Sequence, residues 1–465
     1  MSATGARVVV VGAGVSGLVT AYRLLRSDLS LDVTVVEASG SAGGKLATAS
    51  VGDLEVESGP DAFVARKPWA VDLCRELGLE LAAPQARTAY AWTERGLVPL
   101  PASALGIPCN VDELARWPGL SRVGRARALA DLVRKSRPPD EDESVGSLVR
   151  RRMGDEVAER LTGPLLGGLF AGDLDRLSVR ATFPELARWD RDFGSLIRGA
   201  KAAIKTATDA GPMFLRPREG VTRLAAALLD AVGAERVVLD APAIAIERSG
   251  DAFSVVAETG AFDAEAVVLA TPAFASADVL EGSVPEAAAG LRQIPYASTA
   301  VALLVYPPGT AETLPEATGF VVPRGQAPMT AATFLSRKWP DERFGTRAVV
   351  RCFVGAVGSE DVLGSSDSDI VEALSRHLAA LLPLPEEPEA SAVVRWPRSM
   401  PQYEVGHLER VQRIVSSPPP GIFVSGNAYA GVGVADSVRS AGEAAEGVRA
   451  HLSRRARDGI EERVR

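Results

Sequence analysis

The sequence of 465 residues predicts a multidomain protein of the α/β and α+β classes, with one α/β domain built from separate parts of the chain. A β-branched run, Arg7 to Val11, leads into a glycine turn and a helical pattern, as expected for a strand buried in a parallel sheet. A second buried strand is expected over 264–270. A third enters a glycine-rich turn at 421–426, and a helix follows over 435–449. Because similar elements recur at the start, middle and end, the segments between them are expected to form other domains.

The composition is that of a globular protein and argues against several functional classes. The net charge is −8, from 51 basic and 59 acidic side chains, so bulk electrostatics gives no support for nucleic-acid binding. The three cysteines are far apart and odd in number, which favours a reduced, cytoplasmic compartment over a disulfide framework. The three histidines form no cluster with the cysteines, so no metal site is expected. No apolar run approaches the roughly 18–20 residues that span a membrane.

The first glycine turn has the spacing of a dinucleotide-binding site. It follows a strand and opens a helix over 15–26, and Glu37 ends the next strand, 20 residues beyond Gly17. Gly12 makes the turn, Gly14 lets a pyrophosphate approach the backbone, and Gly17 lets helix and strand pack. Glu37 can accept hydrogen bonds from ribose hydroxyls and would repel a 2′-phosphate. The expected contacts are Gly12, Ala13, Gly14, Val15, Ser16, Gly17 and Glu37.

Further glycine turns favour FAD over NAD as the dinucleotide. Gly43-Gly44-Lys45 follows Glu37 closely, and Lys45 can pair with a pyrophosphate. A third turn, 57–62, is stiffened by Pro60. Near the C-terminus, the turn 431–436 precedes a helix, whose N-terminus suits the flavin pyrimidine oxygen where negative charge grows on reduction. No second G-x-G-x-x-G joins a strand to a helix, so electrons are expected to come from the substrate and to leave to oxygen or another small acceptor.

These patterns divide the chain into three parts. The predicted boundaries place residues 1–65, 213–284 and 416–465 in an FAD-binding domain, 66–95 and 285–415 in a substrate-binding domain, and 96–212 in a helical lobe. In the middle segment a helix is expected over 220–232, with strands over 237–247 and 253–258. The run 137–144, with two prolines and four acidic residues, is expected to be a solvated loop.

Longer motifs connect the sequence to a known family. The run from Val36 through Lys45 and the run Glu57 to Phe63 resemble the protoporphyrinogen oxidase family. More specific are the stretch Gly163 to Asp173, which ends in aromatic-Ala-Gly-Asp, and the stretch Arg395 to His407. The resemblance covers essentially the whole chain and is closest to the soluble Gram-positive type, usually coproporphyrinogen III oxidase. Two positions depart from the pattern: Phe170 stands where Tyr is frequent, and Ala435-Asp436-Ser437 replaces Pro-Asp-Cys.

The resemblance implies a fold, an activity and a set of contacts. The fold would be a discontinuous Rossmann-like FAD domain of the p-hydroxybenzoate hydroxylase type, a mixed-sheet substrate domain and a helical lobe. The activity would be oxidation of coproporphyrinogen III to coproporphyrin III by oxygen, with hydrogen peroxide as product, in haem biosynthesis. The enzyme would be cytoplasmic, a monomer or homodimer with at most peripheral membrane contact, and would hand its product to a ferrochelatase-type enzyme. Carried over by position, the flavin contacts add Ala38, Gly44, Lys45, Gly59, Pro60, Asp61, Ala62, Ile244, Trp396, Val434, Ala435 and Asp436.

The substrate that the resemblance implies carries propionates, so its binding site is expected to contain cationic side chains. Arg66 and Lys67, directly after the Pro60 turn, are the best candidates, and Lys67 matches a substrate-proximal lysine of the bacterial type; a solvated pair at the start of a helix over 68–77 is the alternative. No general base is nominated. For His407 a structural hydrogen-bonding role is favoured over chemistry, and for Asp173 a turn or capping role is favoured. The basic stretch 122–137 is interpreted as a solvated helix face in preference to a membrane-surface helix.

Other functions stay open at this point. Protoporphyrinogen IX is the alternative substrate, and the absence of a membrane anchor favours coproporphyrinogen. An amine oxidase or a carotenoid desaturase of the same fold would share the N-terminal motifs. An amine oxidase would use aromatic residues near the C-terminus, and Trp396 and Tyr403 could be so interpreted, but their proline-rich setting matches the porphyrinogen group better. A protein of this fold that escorts lipidated partners without redox chemistry is disfavoured, because this chain keeps its flavin motifs.

Overall fold

The computed structural model describes residues 5–136, 139–207 and 211–464. Arg137 and Pro138, the first two residues of the loop expected over 137–144, lie outside the described residues. Arg137 was also the last residue of the predicted basic stretch, so that part of the prediction lies outside them too. No helix among the described ranges combines the length and apolarity needed to cross a lipid bilayer.

A parallel five-stranded sheet forms the centre of the α/β domain. Its strands, in spatial order, are β12 (Val237–Val238), β2 (Leu31–Val36), β1 (Ala6–Val11), β16 (Ala266–Leu269) and β22 (Ile422–Val424). The β-branched residues of β1 alternate between two cores, as period-2 geometry requires. Val8 and Val10 face a helical layer, whereas Val9 and Val11 face a small antiparallel sheet. The predicted discontinuous α/β and α+β architecture is confirmed.

Two layers cover the faces of this sheet. One consists of helices α1 (Val15–Leu25), α2 (Pro68–Glu76), α11 (Thr222–Val232) and α17 (Val434–Val464). The other consists of the sheet β13 (Ala243–Ser249), β14 (Ala252–Ala257) and β15 (Gly260–Ala264), with helices α12 (Ala273–Leu280), α13 (Pro285–Arg292) and α16 (His407–Ser416). The strand expected continuously over 237–247 is wrong, because β12 and β13 belong to different sheets. Asp240 adopts φ +51° and Pro242 lacks an N–H, so the extended chain breaks between them.

The second large element is a seven-stranded mixed sheet. Its strands, in spatial order, are β21 (Ala390–Pro401), β17 (Tyr296–Pro308), β20 (Arg347–Val354), β19 (Ala331–Phe334), β18 (Gly319–Val321), β7 (Tyr90–Thr93) and β8 (Gly96–Pro99). Helix α15 (Asp367–Leu381) covers one face, and the hairpin β3 (Thr48–Val51) and β4 (Leu54–Glu57) covers the other. Helix α14 (Leu335–Lys338) follows β19. A third, short sheet has the strand order β5 (Phe63–Val64), β11 (Phe214–Pro217) and β6 (Leu81–Ala82). Its strands come from the chain segments that connect strands of the two large sheets.

The helical lobe has its own apolar core and an unusual helix. Its elements are the ladder β9 (Ser103–Ala104) and β10 (Ile107–Pro108) and the helices α3 (Val111–Arg116), α4 (Arg122–Leu129), α5 (Val145–Met153), α6 (Asp155–Val157), α7 (Gly168–Phe170), α8 (Val179–Thr182), α9 (Pro184–Phe193) and α10 (Leu196–Ala207). The first part of the family-like motif 163–173 completes a π-helix over Ala158–Gly167, which contains Pro164. Such helical turns are frequently found at functional sites. In the basic stretch, Arg127 is not a solvated side chain, because it donates to the carbonyls of residues 150–152.

Candidate active site

The first glycine turn is tightly packed on one side and open on the other. Gly12 has φ +103°, which favours glycine, and its N–H donates to the Val36 carbonyl at 2.7 Å. A Cβ on Gly17 would lie 1.8 Å from the Gly12 carbonyl oxygen, so only glycine lets α1 pack so closely. A Cβ on Gly14 would meet no atom within 4 Å. The open space above Gly14 is where a pyrophosphate would approach the backbone.

The N-terminus of α1 faces this opening with free donors. Its N-cap residue is Gly14, and no side chain caps the first turn, so the N–H groups of 15–17 have no partner within the helix. The second glycine turn lies against the first: the Gly43 N–H donates to the Ala13 carbonyl at 2.9 Å, and Gly14 and Gly43 form a β-bridge. A helix N-terminus carries partial positive charge, so these residues fit the pyrophosphate of a dinucleotide.

Glu37 lies at the carboxyl edge of the sheet, but it already accepts hydrogen bonds from the protein. One oxygen accepts from the Ala13 N–H at 2.6 Å, and the other accepts from the Ser39 N–H at 2.9 Å and hydroxyl at 2.7 Å. A carboxylate offers about four acceptor positions, so capacity for a ribose hydroxyl is left. Ala38 is exposed beside it.

Lys45 is more enclosed than its sequence neighbours suggest. Its Nζ donates to the Ser399 carbonyl at 2.5 Å, which connects the second glycine turn to strand β21. Burial lowers the pKa of Lys45 to about 8. The lysine therefore occupies a poorly hydrated position, where the charge of a bound anion would stabilise its protonated form.

The third turn, 57–62, is held by one cation on β20 of the mixed sheet and one on helix α14. Asp61 is buried and accepts from Lys338 Nζ at 2.8 Å and Trp339 Nε1 at 3.1 Å, and it pairs with Arg351 at 3.3 Å. Arg351 also donates to the Gly59 carbonyl at 2.8 Å. Burial would raise the pKa of Asp61, but the charges of Arg351 and Lys338 outweigh it and hold that pKa below its usual range. The carboxylate is thus fully engaged within the protein, while Gly59, Pro60 and Ala62 stay partly accessible.

The C-terminal turn brings together residues predicted for two different roles. Val434, Ala435 and Asp436 open helix α17 and are buried. Lys67 Nζ lies 2.7 and 2.6 Å from the two Asp436 carboxylate oxygens. Trp396, the remaining residue expected at this end, donates its indole N–H to the Ser58 carbonyl at 3.2 Å.

The two predicted substrate cations differ in their surroundings. Arg66 is exposed. Lys67 keeps 44% of its side chain accessible while it pairs with Asp436, so the interpretation of a merely solvated pair does not describe it. A carboxylate ligand at Lys67 would meet a cation whose charge Asp436 already balances in part.

Three further predicted residues have distinct positions. Ile244 is 54% exposed on β13, away from the glycine turns in the chain. Asp173 takes the turn role that was favoured, since it accepts from the Asp175 N–H at 3.0 Å. The structural role favoured for His407 over chemistry stays a prediction; burial lowers the pKa of the ring, and the Tyr429 backbone acts to raise that pKa. The residue is completely buried and neither ring nitrogen has a hydrogen-bond partner of normal geometry in the described ranges.

Sequence reasoning missed Arg351, Lys338 and the part played by Tyr403. Arg351 and Lys338 lie about 280–290 residues from Asp61, with no local pattern that marks them. Tyr403 was considered only as a member of an aromatic cage. The structure instead buries its ring and directs its hydroxyl to the turn 427–431.

Comparison with known proteins agrees with this geometry. The family model described as flavin containing amine oxidoreductase matches residues 15–449. The coproporphyrinogen III oxidase of Bacillus subtilis is 33% identical and aligns with 93% of this chain and 95% of its own length. A crystal structure assigned as a protoporphyrinogen oxidase of Exiguobacterium sp. 255-15 is 31% identical, with a TM-score of 0.86, and the match covers 97% of this chain and all of that one.

A more distant structure shows the shared fold only. Cyclohexylamine oxidase from Brevibacterium oxydans has a TM-score of 0.71 at 17% identity, over 97% of this chain and all of that one. The expected fold and flavin cofactor are confirmed by these matches. The chain therefore belongs to the flavin-containing amine oxidoreductase family, within its porphyrinogen oxidase branch, and its cofactor is FAD.

Proposed function

We propose that this protein oxidises coproporphyrinogen III to coproporphyrin III with FAD as cofactor and oxygen as electron acceptor. The observation that carries the proposal is the ion pair between Lys67 and Asp436. It sets a partly exposed cation, suited to a propionate, directly beside the helix that begins at the C-terminal glycine turn. Relatives named for this activity match over nearly the full length of the chain.

Converting a porphyrinogen into a porphyrin removes six electrons and six protons; FAD held by the glycine turns and the start of α17 would supply two-electron redox chemistry for three rounds, with three oxygen molecules reduced to three molecules of hydrogen peroxide. The chain's own contribution is to orient the macrocycle and to exclude competing reactions. Lys67, with Arg66 nearby, would hold propionates by charge, and Trp396 would limit the space beside the third glycine turn. No residue is assigned as general base. His407 is an unsuitable one, because burial lowers its pKa to about 4.

The contacts and boundaries follow the same proposal. The FAD-binding domain would comprise 1–65, 213–284 and 416–465, with the substrate domain at 66–95 and 285–415 and the helical lobe at 96–212. Cofactor contacts would run along the three N-terminal turns and the start of α17, with Ile244 near the adenine. We further propose a cytoplasmic enzyme, monomeric or homodimeric, whose product passes to a ferrochelatase-type enzyme.

The proposal is tested by supplying coproporphyrinogen III and protoporphyrinogen IX side by side to the purified holoprotein. Porphyrin fluorescence reports the product, and a peroxidase-coupled assay should find three hydrogen peroxide molecules per porphyrin. Faster turnover of the copro form supports the proposal. Preference for protoporphyrinogen IX would reassign the substrate, in the direction of the related Oryza sativa protein that is named a chloroplastic protoporphyrinogen oxidase. Oxidation of neither would overturn the proposed function.

A further inference from the structure

We infer that Tyr403 is a positioning residue for the flavin: its hydroxyl fixes the turn 427–431 that leads into helix α17. The hydroxyl donates to the Asn427 carbonyl at 2.7 Å and accepts from the Gly431 N–H at 2.7 Å. One side-chain oxygen thus closes the turn from both ends. The turn stands directly before Val434 to Asp436, the start of the helix expected at the flavin end.

Gly431 requires such support because its backbone is unusual. It has φ +133°, and a Cβ there would lie 2.3 Å from the Asp436 carboxyl carbon. The turn is therefore wrapped against the side chain that pairs with Lys67. A glycine in this conformation loses more chain entropy on folding than other residues, so an external hydrogen bond to its N–H offsets part of that cost.

Tyr403 can act as a fixed point because its own backbone is held from another part of the molecule. Its carbonyl accepts from the Ser178 N–H at 2.8 Å, at the start of α8 in the helical lobe. The preceding residue, Gln402, donates from its backbone N–H to the Pro295 carbonyl at 2.8 Å, and from its side chain to the Phe170 carbonyl at 2.7 Å. Tyr403, which holds the turn 427–431, is thus attached through its backbone and its neighbour Gln402 to the helical lobe and to the segment before β17.

The ring of Tyr403 is held equally firmly. His407 stacks on it, with ring centroids 3.9 Å apart and planes at 13°, and Phe170 packs at 5.7 Å. The whole side chain is 1% exposed. This gives a physical use to three motifs: the aromatic before Ala-Gly-Asp and His407 fix the ring, and the ring fixes the C-terminal glycine turn. His407 acts as a stacking partner of the ring.

The test is Tyr403→Phe, which keeps the ring and removes only the hydroxyl. The matched control is Tyr306→Phe, a tyrosine equally buried on β17 in the mixed sheet. The Tyr403 variant should bind FAD about tenfold more weakly, equivalent to about 1.4 kcal/mol. Its apoprotein should also show faster hydrogen exchange in peptides covering 427–433. The control should change neither quantity, and visible circular dichroism of the bound flavin should change only in Tyr403→Phe.

Hydrogen exchange of the wild-type protein keeps the inference testable even if the Tyr403→Phe variant fails to fold. The inference requires that residues 427–431 are protected in the wild-type apoprotein. Unprotected amides there, or a Tyr403→Phe protein with wild-type FAD affinity and wild-type exchange, would overturn it. Because both measurements are made without any porphyrinogen, their outcome is independent of whether the proposed substrate is correct.

Discussion

Replacing Gly14 by serine should separate the stability of the fold from binding of the cofactor. Gly14 is the uncapped N-cap of α1, with φ −71° and ψ −179°, a backbone that serine adopts without strain, and its Cβ would meet nothing within 4 Å. Serine is a better N-cap than glycine by a few tenths of a kcal/mol, so the apoprotein should be unchanged or slightly stabilised.

The same side chain should impair FAD binding. It would occupy the space above the turn, and its hydroxyl would accept an N–H that a phosphate oxygen would otherwise use. Loss of one hydrogen bond to a charged group costs about 1.5–3 kcal/mol. The expected rise in the FAD dissociation constant is therefore roughly 10- to 150-fold.

The assay compares urea unfolding of the apoproteins with FAD titration by flavin fluorescence. Gly17→Ala is the contrasting variant: its Cβ would lie 1.8 Å from the Gly12 carbonyl oxygen, so it should destabilise the apoprotein itself by about 1–3 kcal/mol. A Gly14→Ser apoprotein that unfolds at clearly lower urea, or one that binds FAD within twofold of wild type, would refute the assignment of the open space to the pyrophosphate.

Three other perturbations have defined outcomes. Burial lowers the pKa of Lys45 to about 8, and a bound pyrophosphate would raise that pKa, so FAD affinity should fall as the pH rises above 8, by up to tenfold per pH unit. The variant Lys45→Gln, titrated in parallel, should lose this pH dependence. A pH dependence that is unaltered in the variant would exclude Lys45 as its cause. Asp61→Asn leaves Arg351 and Lys338 as buried cations without this carboxylate, so the free energy of unfolding should fall by about 3–5 kcal/mol in urea titrations. A near-neutral change in the free energy of unfolding would contradict the ion network. Lys67→Gln should raise the KM for the porphyrinogen while FAD content stays at the wild-type level, and an unchanged KM would remove Lys67 from the substrate site. Lys67→Glu would be a poorer probe, because it sets a second carboxylate against Asp436.

Local sequence patterns predicted the parts of the site that depend on neighbouring residues. The turn at Gly12 to Gly17 could be predicted because strand, glycine spacing and helix lie within about 20 residues, and Gly12 and Gly17 each have a steric reason. The start of α17 was predicted within one residue for a similar reason. In both places a glycine with positive φ, Gly12 or Gly431, is a position where the backbone conformation itself limits which residue is allowed.

The rest depends on pairs that meet only after folding. Nothing near Lys338 or Arg351 indicates that both approach Asp61, and nothing near Lys67 indicates Asp436 as its partner, since residues some 280 to 370 positions apart carry no shared period. The false continuous strand over 237–247 has a different cause. Apolar residues do continue on both sides of Asp240, and the left-handed conformation of that residue together with Pro242 redirects the second half to another sheet.

The outer position of β22 in the parallel sheet has a consequence for biosynthesis. This strand and the helix after it supply one edge of the sheet and much of the layer that packs on α1, yet they lie roughly 400 residues beyond the phosphate turn. At translation rates of about 5–20 residues per second, the N-terminal strands wait about 20–80 seconds before those partners exist. During that interval the apolar face of α1 that Ala441 and Val448 later cover stays unburied. Newly made chains should therefore depend on chaperones for longer than a protein whose nucleotide site is continuous in sequence, and the cofactor should join only after helix α17 has been made.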